Sequence, residues 1–229
     1  MDTIQRKAQF TTEYLIIIGI AFGLIAIFLV YAFVYYSSYN NGAGYQQVQN
    51  AAVSITQQAQ YVGSAGIGSK SIFTQYFPAL DKADSFFCGD YVKVSSAGYS
   101  YLSKSDFNMQ GILPTTAGSY SAYAYYTSNG SIYVGLQAGL SYVNTTYNIS
   151  GSYLGYGIDF YNQIGLLAKS TSFNISVFSV GGSYLNSTIG TTPSGYASGE
   201  IYLPQNLPEY LIKIYPLGYN MFESSCFSP

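Results

Sequence analysis

The sequence predicts an α+β protein, in which a long N-terminal hydrophobic helix, the stalk, is followed by a mainly antiparallel β-sandwich-like head. Two features of the chain predict this class. Residues 14–36 contain no charged residue and no Asn, Gln, Ser, Thr or Pro. Beyond residue 67 the pattern changes to short strand-like runs separated by turn residues. Six or more such strands favour two packed sheets, and closed barrels are the alternative.

The apolar run of residues 14–36 is long enough to cross a membrane. As a helix it extends roughly 34 Å, whereas a bilayer hydrocarbon core is about 30 Å thick. Arg6 and Lys7 precede the run and the next basic residue is Lys70, so the positive-inside rule leaves the N-terminus in the cytoplasm and exports the rest. The run is longer than the apolar part of a secretory signal, and no small-residue cleavage site follows it. We therefore expect the segment to stay in the mature protein.

The residues before and within this run resemble a known export signal. RKAQFTTEYLIIIGIAF, residues 6–22, is similar to the class III signal of archaeal type IV pilin-like proteins. In that family a membrane-embedded prepilin peptidase cuts a short basic leader before a Gln, the apolar helix is retained, and a Glu stands fifth in the mature chain. The resemblance is limited to about the first 35 residues.

This resemblance implies a cleavage site and an assembly residue. The leader residues Arg6, Lys7 and Ala8 would precede the cut, Gln9 would become the new N-terminus, and Glu13 would stand fifth. The family commonly has Gly before the cut and Ser third, where this chain has Ala8 and Thr11. A carboxylate buried among packed helices needs a cation, and the α-amino group of Gln9 is the partner that the family implies. The alternative is that Glu13 caps the helix, where the macrodipole favours an anion.

We expect four consecutive regions. They are a leader peptide at 1–8, a hydrophobic transmembrane and filament-core helix at 9–36, an amphipathic second half of the stalk at 37–66, and an extracellular β-rich head at 67–229.

The amphipathic half of the stalk is predicted from apolar residues at helical spacing. Asn and Gly residues at 40–44 predict a bend or a short break before it. The apolar stripe consists of Val48, Ala52, Ile55, Ala59 and Val62.

The head contains one clear hairpin signal. YSAYAYYT and IYVGL flank Asn129-Gly130, which suits a two-residue type I′ turn. A strand is expected in EYLIKIYPLG, residues 209–218, where Leu211, Lys213 and Tyr215 alternate with Ile212 and Ile214. Further strands are expected in DYVKVS, SFNISVFSV and GEIYLP, and short helices within residues 102–114 and 157–170.

Two kinds of covalent modification are expected on an exported head. Cys88 and Cys226 belong to no CxxC pair and favour one disulfide, two buried free thiols being the alternative. Five Asn-x-Ser/Thr motifs predict N-glycosylation. Their acceptors are Asn129, Asn144, Asn148, Asn174 and Asn186.

Composition excludes several function classes. The chain has eight Lys and Arg, no His and a formal charge of −2, so it offers no basic surface for nucleic acid and no His-dependent nucleophile or His-ligated zinc. Charged residues make up 8% of the chain, against roughly 25% in average proteins. The 27 tyrosines are sheet-packing residues or, alternatively, an adhesive surface.

Two groups of acids are candidate sites. Asp81, Asp84 and Asp90 offer oxygen ligands for Ca²⁺, although a solvated face with Lys82 and Lys93 is favoured. A glycosidase carboxylate pair would have to come from the scattered acids Asp159, Glu200 and Glu209; structural roles are favoured for these three.

The sequence therefore predicts a structural subunit and no enzyme. It would be a membrane-inserted precursor that becomes an extracellular, helical homo-polymer at the cell surface, with a role in adhesion or attachment and without a cofactor or nucleic acid. The resemblance implies a prepilin-type peptidase, an assembly ATPase and a platform protein as partners. The alternative is a single-pass anchored surface-binding protein that does not polymerise, and a third hypothesis is a carboxylate-dependent hydrolase.

Overall fold

The structure is a computed structural model that describes the backbone of residues 2–137 and 139–229; the side chains of residues 2–13 and 36–42 lie outside the described part. The chain is helical at its N-terminus and mainly antiparallel β-sheet beyond it, which confirms the α+β class. The elements are α1 (Asp2–Ala65), β1 (Lys70–Phe77), β2 (Phe86–Cys88), β3 (Tyr91–Ser96), β4 (Tyr99–Lys104), β5 (Met109–Pro114), β6 (Gly118–Tyr126), β7 (Ile132–Leu136), β8 (Leu140–Ser150), β9 (Tyr153–Asn162), β10 (Thr171–Ser179), β11 (Tyr184–Thr192), β12 (Tyr196–Tyr202), β13 (Tyr210–Pro216) and β14 (Met221–Phe227).

Contacts within the chain divide it into two compact units, Met1–Ala43 and Gly44–Pro229. Helix α1 belongs to both units, so each part of it is described with its own unit. The helix assignment continues through residues 40–44, where the sequence predicts a bend or a short break, and the boundary between the units falls in the same stretch. The part of α1 from residue 44 onward therefore folds with the β-rich unit.

The predicted apolar stripe on this part of α1 is confirmed. Its five side chains belong to the core of the β-rich unit, each with 1% or less of its surface exposed. The packing is close at Gly63, where an added Cβ would lie 2.3 Å from the ring of Phe107. A hydroxyl contact of 2.9 Å between Thr56 Oγ1 and Ser103 Oγ also joins the helix to β4.

Three sheets complete the β-rich unit. The largest has eight strands in the order β1-β6-β7-β5-β14-β13-β10-β11, and the two smaller sheets have the orders β12-β9-β8 and β2-β3-β4. Of the strand pairs in the described backbone, β5 with β7 is parallel and the others are antiparallel. The sheets are therefore mainly antiparallel, as predicted.

Strand β14, near the middle of the large sheet, is covered on both faces. On one face the backbone N–H of Phe87 in β2 donates to Ser224 Oγ at 2.9 Å. On the other face the rings of Tyr147 in β8 and Phe227 in β14 lie 5.7 Å apart. Because successive side chains of a strand point to opposite faces, the two small sheets contact opposite faces of β14.

The predicted hairpin forms, but its predicted turn is wrong. Strands β6 and β7 are antiparallel, with Tyr126 opposite Ile132. Gly130 has a φ of 82°, whereas Asn129 keeps a negative φ, and the Gly130 N–H donates to the Thr127 carbonyl at 3.2 Å. A type I′ turn requires a positive φ at both central residues. The loop is therefore a three-residue turn with glycine in its left-handed position.

The two stretches for which the sequence predicts short helices contain strands and turns instead. Residues 102–114 contribute the end of β4 and all of β5, and residues 157–170 contain the end of β9 and a turn. Gly111 has a φ of 154°, and an added Cβ there would lie 2.1 Å from the Val134 carbonyl oxygen. This approach of β5 to β7 is a long-range contact, and it overrides the local helical tendency.

Cys88 and Cys226 form a disulfide in the structure, with their Sγ atoms 2.05 Å apart. The two residues are 138 positions apart, at the end of β2 and near the end of β14. This is the pairing that the sequence favours. The bond ties the C-terminal strand of the large sheet to the small sheet β2-β3-β4.

Candidate functional site

The part of α1 from Tyr14 to Tyr35 is an exposed apolar surface. These 22 residues are long and apolar enough to cross a membrane, and none of the segment is buried within the chain. Phe33, for example, is 75% exposed. Such a surface is unfavourable in water, because apolar area exposed to solvent costs about 25 cal/mol per Å². The segment is compatible with a membrane anchor or a signal sequence.

The residues predicted for leader cleavage and assembly precede this segment. Arg6, Lys7, Ala8, Gln9 and Glu13 lie on the helical backbone of α1. Their side chains lie outside the described residues, so their roles remain predictions.

The five predicted glycosylation acceptors differ in exposure. Asn129, in the turn after β6, and Asn148, on β8, are exposed; Asn144, Asn174 and Asn186 are half-buried on β8, β10 and β11.

Two of the half-buried acceptors use their amide nitrogen in the fold. Asn144 Nδ2 donates to Asp159 Oδ2 at 3.2 Å, and Asn186 Nδ2 donates to the Tyr202 carbonyl at 2.8 Å. That nitrogen is the atom to which a sugar is attached. Asn129 and Asn148 are therefore the acceptors most open to a modifying enzyme.

The three aspartates considered for Ca²⁺ do not form a group of ligands among the described residues. Asp84 pairs with Lys93, and Asp90 Oδ2 lies 3.2 Å from Lys104 Nζ. Burial would raise the pKa of Asp84, but hydrogen bonds from Lys93 and Ser95 and nearby lysine charges lower it overall. The favoured alternative, a solvated face with lysines, describes this region.

Two of the acids considered for glycoside cleavage lie on the same face of one sheet, but not opposite one another. Asp159 of β9 pairs with Tyr196, and Glu200 of β12 pairs with Gly155, so the two acids lie four positions apart along the ladder. Four positions separate their backbones by about 13 Å along the strand.

Glu209 lies elsewhere, beside the disulfide. Its carboxylate oxygen and the sulfurs of Cys88 and Cys226 all lie within 4.8 Å of one another. Metal ligation by cysteine requires the thiolate. Because both sulfurs are in the disulfide, this group does not form a metal centre.

The outward side of the sheet β12-β9-β8, named here the trough face, brings Asp159 and Glu200 together with other polar residues. Its central strand has glycine at two successive outward positions, and a cavity of about 480 Å³ lies along it. The cross-strand rows of this face are Asn144–Asp159–Tyr196, Thr146–Gly157–Ser198, Asn148–Gly155–Glu200 and Ser150–Tyr153–Tyr202.

Lys213 is a fully buried cation in β13. The alternation of its strand predicts one buried face and one solvated face, with Lys213 on the solvated one. Its Nζ donates to the carbonyls of Lys82 at 2.8 Å and Ala83 at 2.7 Å, and three phenylalanine rings lie 5.4 to 5.8 Å away. Burial lowers the pKa of Lys213 to about 8, against the opposing charges of Asp84 and Asp81. The lysine thus attaches the loop before β2 to the large sheet.

Glu223 carries a buried carboxyl group on the other face of the large sheet, with 1% of its surface exposed. Among the described residues, neither carboxyl oxygen has a hydrogen-bond partner, and the hydroxyls of Tyr147 and Ser225 are also unpartnered. Burial raises the pKa of Glu223 to about 8. The group is therefore mostly neutral at pH 7.

Sequence reasoning missed the trough face, Lys213 and Glu223. The spaced glycines in YLGYGIDF, residues 153–160, were a usable signal for the trough face, because glycine in a strand often marks a close approach. No local signal distinguishes Lys213 or Glu223 from the other charged residues of the chain.

Comparisons with known proteins leave the family open. No protein-family model matches the chain, and the curated proteins contain no match to it.

Proposed function

We propose that the chain is the structural subunit of an extracellular type IV pilus-like filament. It assembles by packing of N-terminal helices after the leader, residues 1–8, has been removed. The observation that carries the proposal is the apolar segment of α1, Tyr14–Tyr35, which is exposed along its length. It follows directly on a stretch, RKAQFTTE, that is similar to the class III signal.

Cleavage supplies the charge that assembly needs. A prepilin-type peptidase hydrolyses the bond between Ala8 and Gln9 and so creates an α-amino group on Gln9. The carboxylate of Glu13 pairs with this amine, in its own chain or in a neighbouring subunit. An unpaired buried carboxylate costs several kcal/mol, so subunits pack in the register that satisfies Glu13.

During assembly, contacts between the N-terminal helices replace their contacts with lipid. In the membrane the segment Tyr14–Tyr35 is surrounded by acyl chains, and in the filament it is surrounded by copies of itself. Packing between helices replaces the lipid contacts, and an assembly ATPase and a platform protein supply the work of extraction. The product is a helical homo-polymer outside the cell.

The β-rich unit becomes the surface of the filament. In this proposal α1 acts as a stalk and the three sheets act as a sandwich-like head, closed by the Cys88–Cys226 disulfide. The low content of charged residues in the chain, 8%, leaves this unit a surface of hydroxyl and phenol groups suited to attachment and glycosylation.

Replacing Glu13 tests the mechanism. We expect Glu13→Gln to insert in the membrane normally and to abolish filaments, because the neutral amide cannot pair with the Gln9 amine. The readouts are the membrane-bound amount of subunit and electron microscopy of the cell surface. Asp2→Asn is the matched control, since it removes a carboxylate from the leader that cleavage discards, and it should leave filaments unchanged.

Two outcomes would reject the proposal. Normal filaments from Glu13→Gln would reject the pairing role of Glu13. Absence of filaments from cells that produce the unaltered chain would favour the single-pass anchored surface protein instead.

A further inference from the structure

The floor of the trough face is built from glycine in the middle strand of the sheet β12-β9-β8. An added Cβ on Gly155 would lie 2.1 Å from Asn148 Oδ1, and one on Gly157 would lie 2.6 Å from Thr146 Oγ1. The Tyr196 hydroxyl oxygen is 3.3 Å from that same Cβ position of Gly157. Glycine therefore lets the neighbouring polar side chains lie flat on the sheet, and this leaves open volume above them.

The sides of the trough carry hydrogen-bonding groups and no cation. Thr146 and Asn148 of β8 line one side, and Ser198 and Glu200 of β12 line the other. The four rows of this face include no Lys or Arg. Because Asp159 and Glu200 are its ionisable acids, the face repels anions such as phosphates and acidic polymers.

Tyrosines stand at both ends of the trough. Tyr196 is 50% exposed at one end, and Tyr153 and Tyr202 are 48% and 52% exposed at the other. The rings of the latter two lie 5.7 Å apart and nearly perpendicular. Half-exposed rings on a polar face offer flat apolar surface to a ligand that also forms hydrogen bonds.

From this combination we propose that the trough face binds a chain of neutral sugar residues. A pyranose ring has one face of C–H groups that packs on tyrosine, and hydroxyl groups at its edge that bond to amide, hydroxyl and carboxylate side chains. A volume of about 480 Å³ lies within the usual range of ligand sites, about 300 to 1,000 Å³. The inference concerns the β-rich unit and does not depend on filament assembly.

The face binds the sugar chain without cutting it. The backbones of Asp159 and Glu200 are about 13 Å apart along the strands, and Asp159 Oδ2 accepts a hydrogen bond from Asn144 Nδ2, so we assign the face to binding alone. Glu200 instead accepts hydrogen bonds from sugar hydroxyls beside the glycine floor.

Saturation-transfer NMR on the full chain tests this site. The protein is kept in a detergent without a sugar headgroup, its tyrosine protons are irradiated, and hexasaccharides of β-1,4-linked glucose, α-1,4-linked glucose and α-1,6-linked mannose are the probes. We expect transfer to ring protons of at least one probe. Tyr196→Ala should weaken its binding about tenfold, the loss of one aromatic contact, and Glu200→Gln should weaken it several-fold.

Tyr61→Ala is the matched control. Tyr61 is 67% exposed on α1, away from the trough face, and its replacement should change the affinity less than twofold. Circular dichroism checks that each variant is folded.

Four results would overturn the proposal. They are no transfer to any of the three hexasaccharides, equal affinities of the Tyr196→Ala and unaltered proteins, association of chains through this face in place of saccharide binding, and a glycan attached to Asn148 that fills the trough.

Discussion

At the scale of single residues, Glu223 links the stability of the β-rich unit to pH. Its carboxyl group is buried beside Tyr147 and Ser225, and Tyr133 and Tyr142 also face it. Burial raises the pKa of Glu223 from 4.5 to about 8. Because the folded state then binds a proton that the unfolded state has released, the stabilisation is complete below pH 4.5 and is lost as the pH rises toward 8.

Glu223→Gln should remove this dependence. The amide keeps the shape of the protonated acid and cannot ionise, so the variant should be more stable than the unaltered protein at pH 8, by on the order of 4 kcal/mol. At pH 4.5 the two proteins should be similar. Thermal unfolding followed by circular dichroism between these pH values measures the difference.

The unaltered protein provides the comparison for this experiment, and its melting temperature should fall as the pH rises from 4.5 to 8. If the melting temperature of Glu223→Gln falls with pH as steeply as that of the unaltered protein, another group causes the pH dependence of stability.

The burial of Lys213 is not predicted by the sequence around it. Its strand alternates Lys213 and Tyr215 with Ile212 and Ile214, a pattern typical of a sheet with one solvated face. In the structure the loop before β2 covers that face, and the carbonyls of Lys82 and Ala83 accept from its Nζ. This loop is 130 positions away in sequence, so no local pattern could predict the burial of the lysine.

At the scale of elements, the part of α1 beyond residue 43 depends on a close contact. Gly63 lies against the ring of Phe107 in the loop between β4 and β5. Alanine is a better helix former than glycine by about 1 kcal/mol. Packing opposes this gain, because the added methyl group would overlap the ring.

Gly63→Ala should therefore destabilise the β-rich unit, by about 1 to 3 kcal/mol. The expected readout is a lower midpoint in urea unfolding monitored by circular dichroism. Gly23→Ala is the matched control, since nothing lies within 4 Å of a Cβ at that helical glycine. A midpoint for Gly63→Ala equal to or above that of the unaltered protein would mean that Phe107 moves aside freely.

The elements themselves were predictable to the extent that local pattern determines them. Helical spacing predicts the stripe from Val48 to Val62, and Asn129-Gly130 between two strand-like runs predicts the hairpin of β6 and β7. The turn between those strands is not predicted correctly, because Asn129-Gly130 suits both a two-residue turn and a three-residue turn with glycine last. The parallel pairing of β5 with β7 depends on contacts between distant residues, which the sequence pattern does not encode.

At the scale of the whole molecule, the disulfide closes most of the β-rich unit into one loop. Replacing Cys88 and Cys226 by Ser should lower the free energy of unfolding by about 4 to 5 kcal/mol in the chain-entropy model. Urea unfolding of the variant and of the unaltered protein measures this loss. A reducing agent should lower the unaltered protein's stability and leave the variant unaffected; equal stabilities without reductant would contradict a stabilising bond.

The candidate sites differ in how far the sequence predicts them, because one is formed by consecutive residues and the other by strands that are distant in sequence. The exposed apolar segment of α1 is a property of consecutive residues, so it could be predicted directly from residues 14–36. The cleavage before Gln9 stays a prediction. The trough face is assembled from β8, β9 and β12, and Glu200 reaches Asn148 only through the pairing of both with Gly155. The sequence shows the spacing of Gly155 and Gly157, but it does not show which residues of β8 and β12 lie beside them.

In the proposed function, a single cleavage converts a membrane-held subunit into a filament subunit. N-terminal sequencing of polymer that has been sheared from cells and purified tests this step. We expect Gln9 as the first residue, with MDTIQRKA absent. A first residue of Met1 or Asp2 would contradict it.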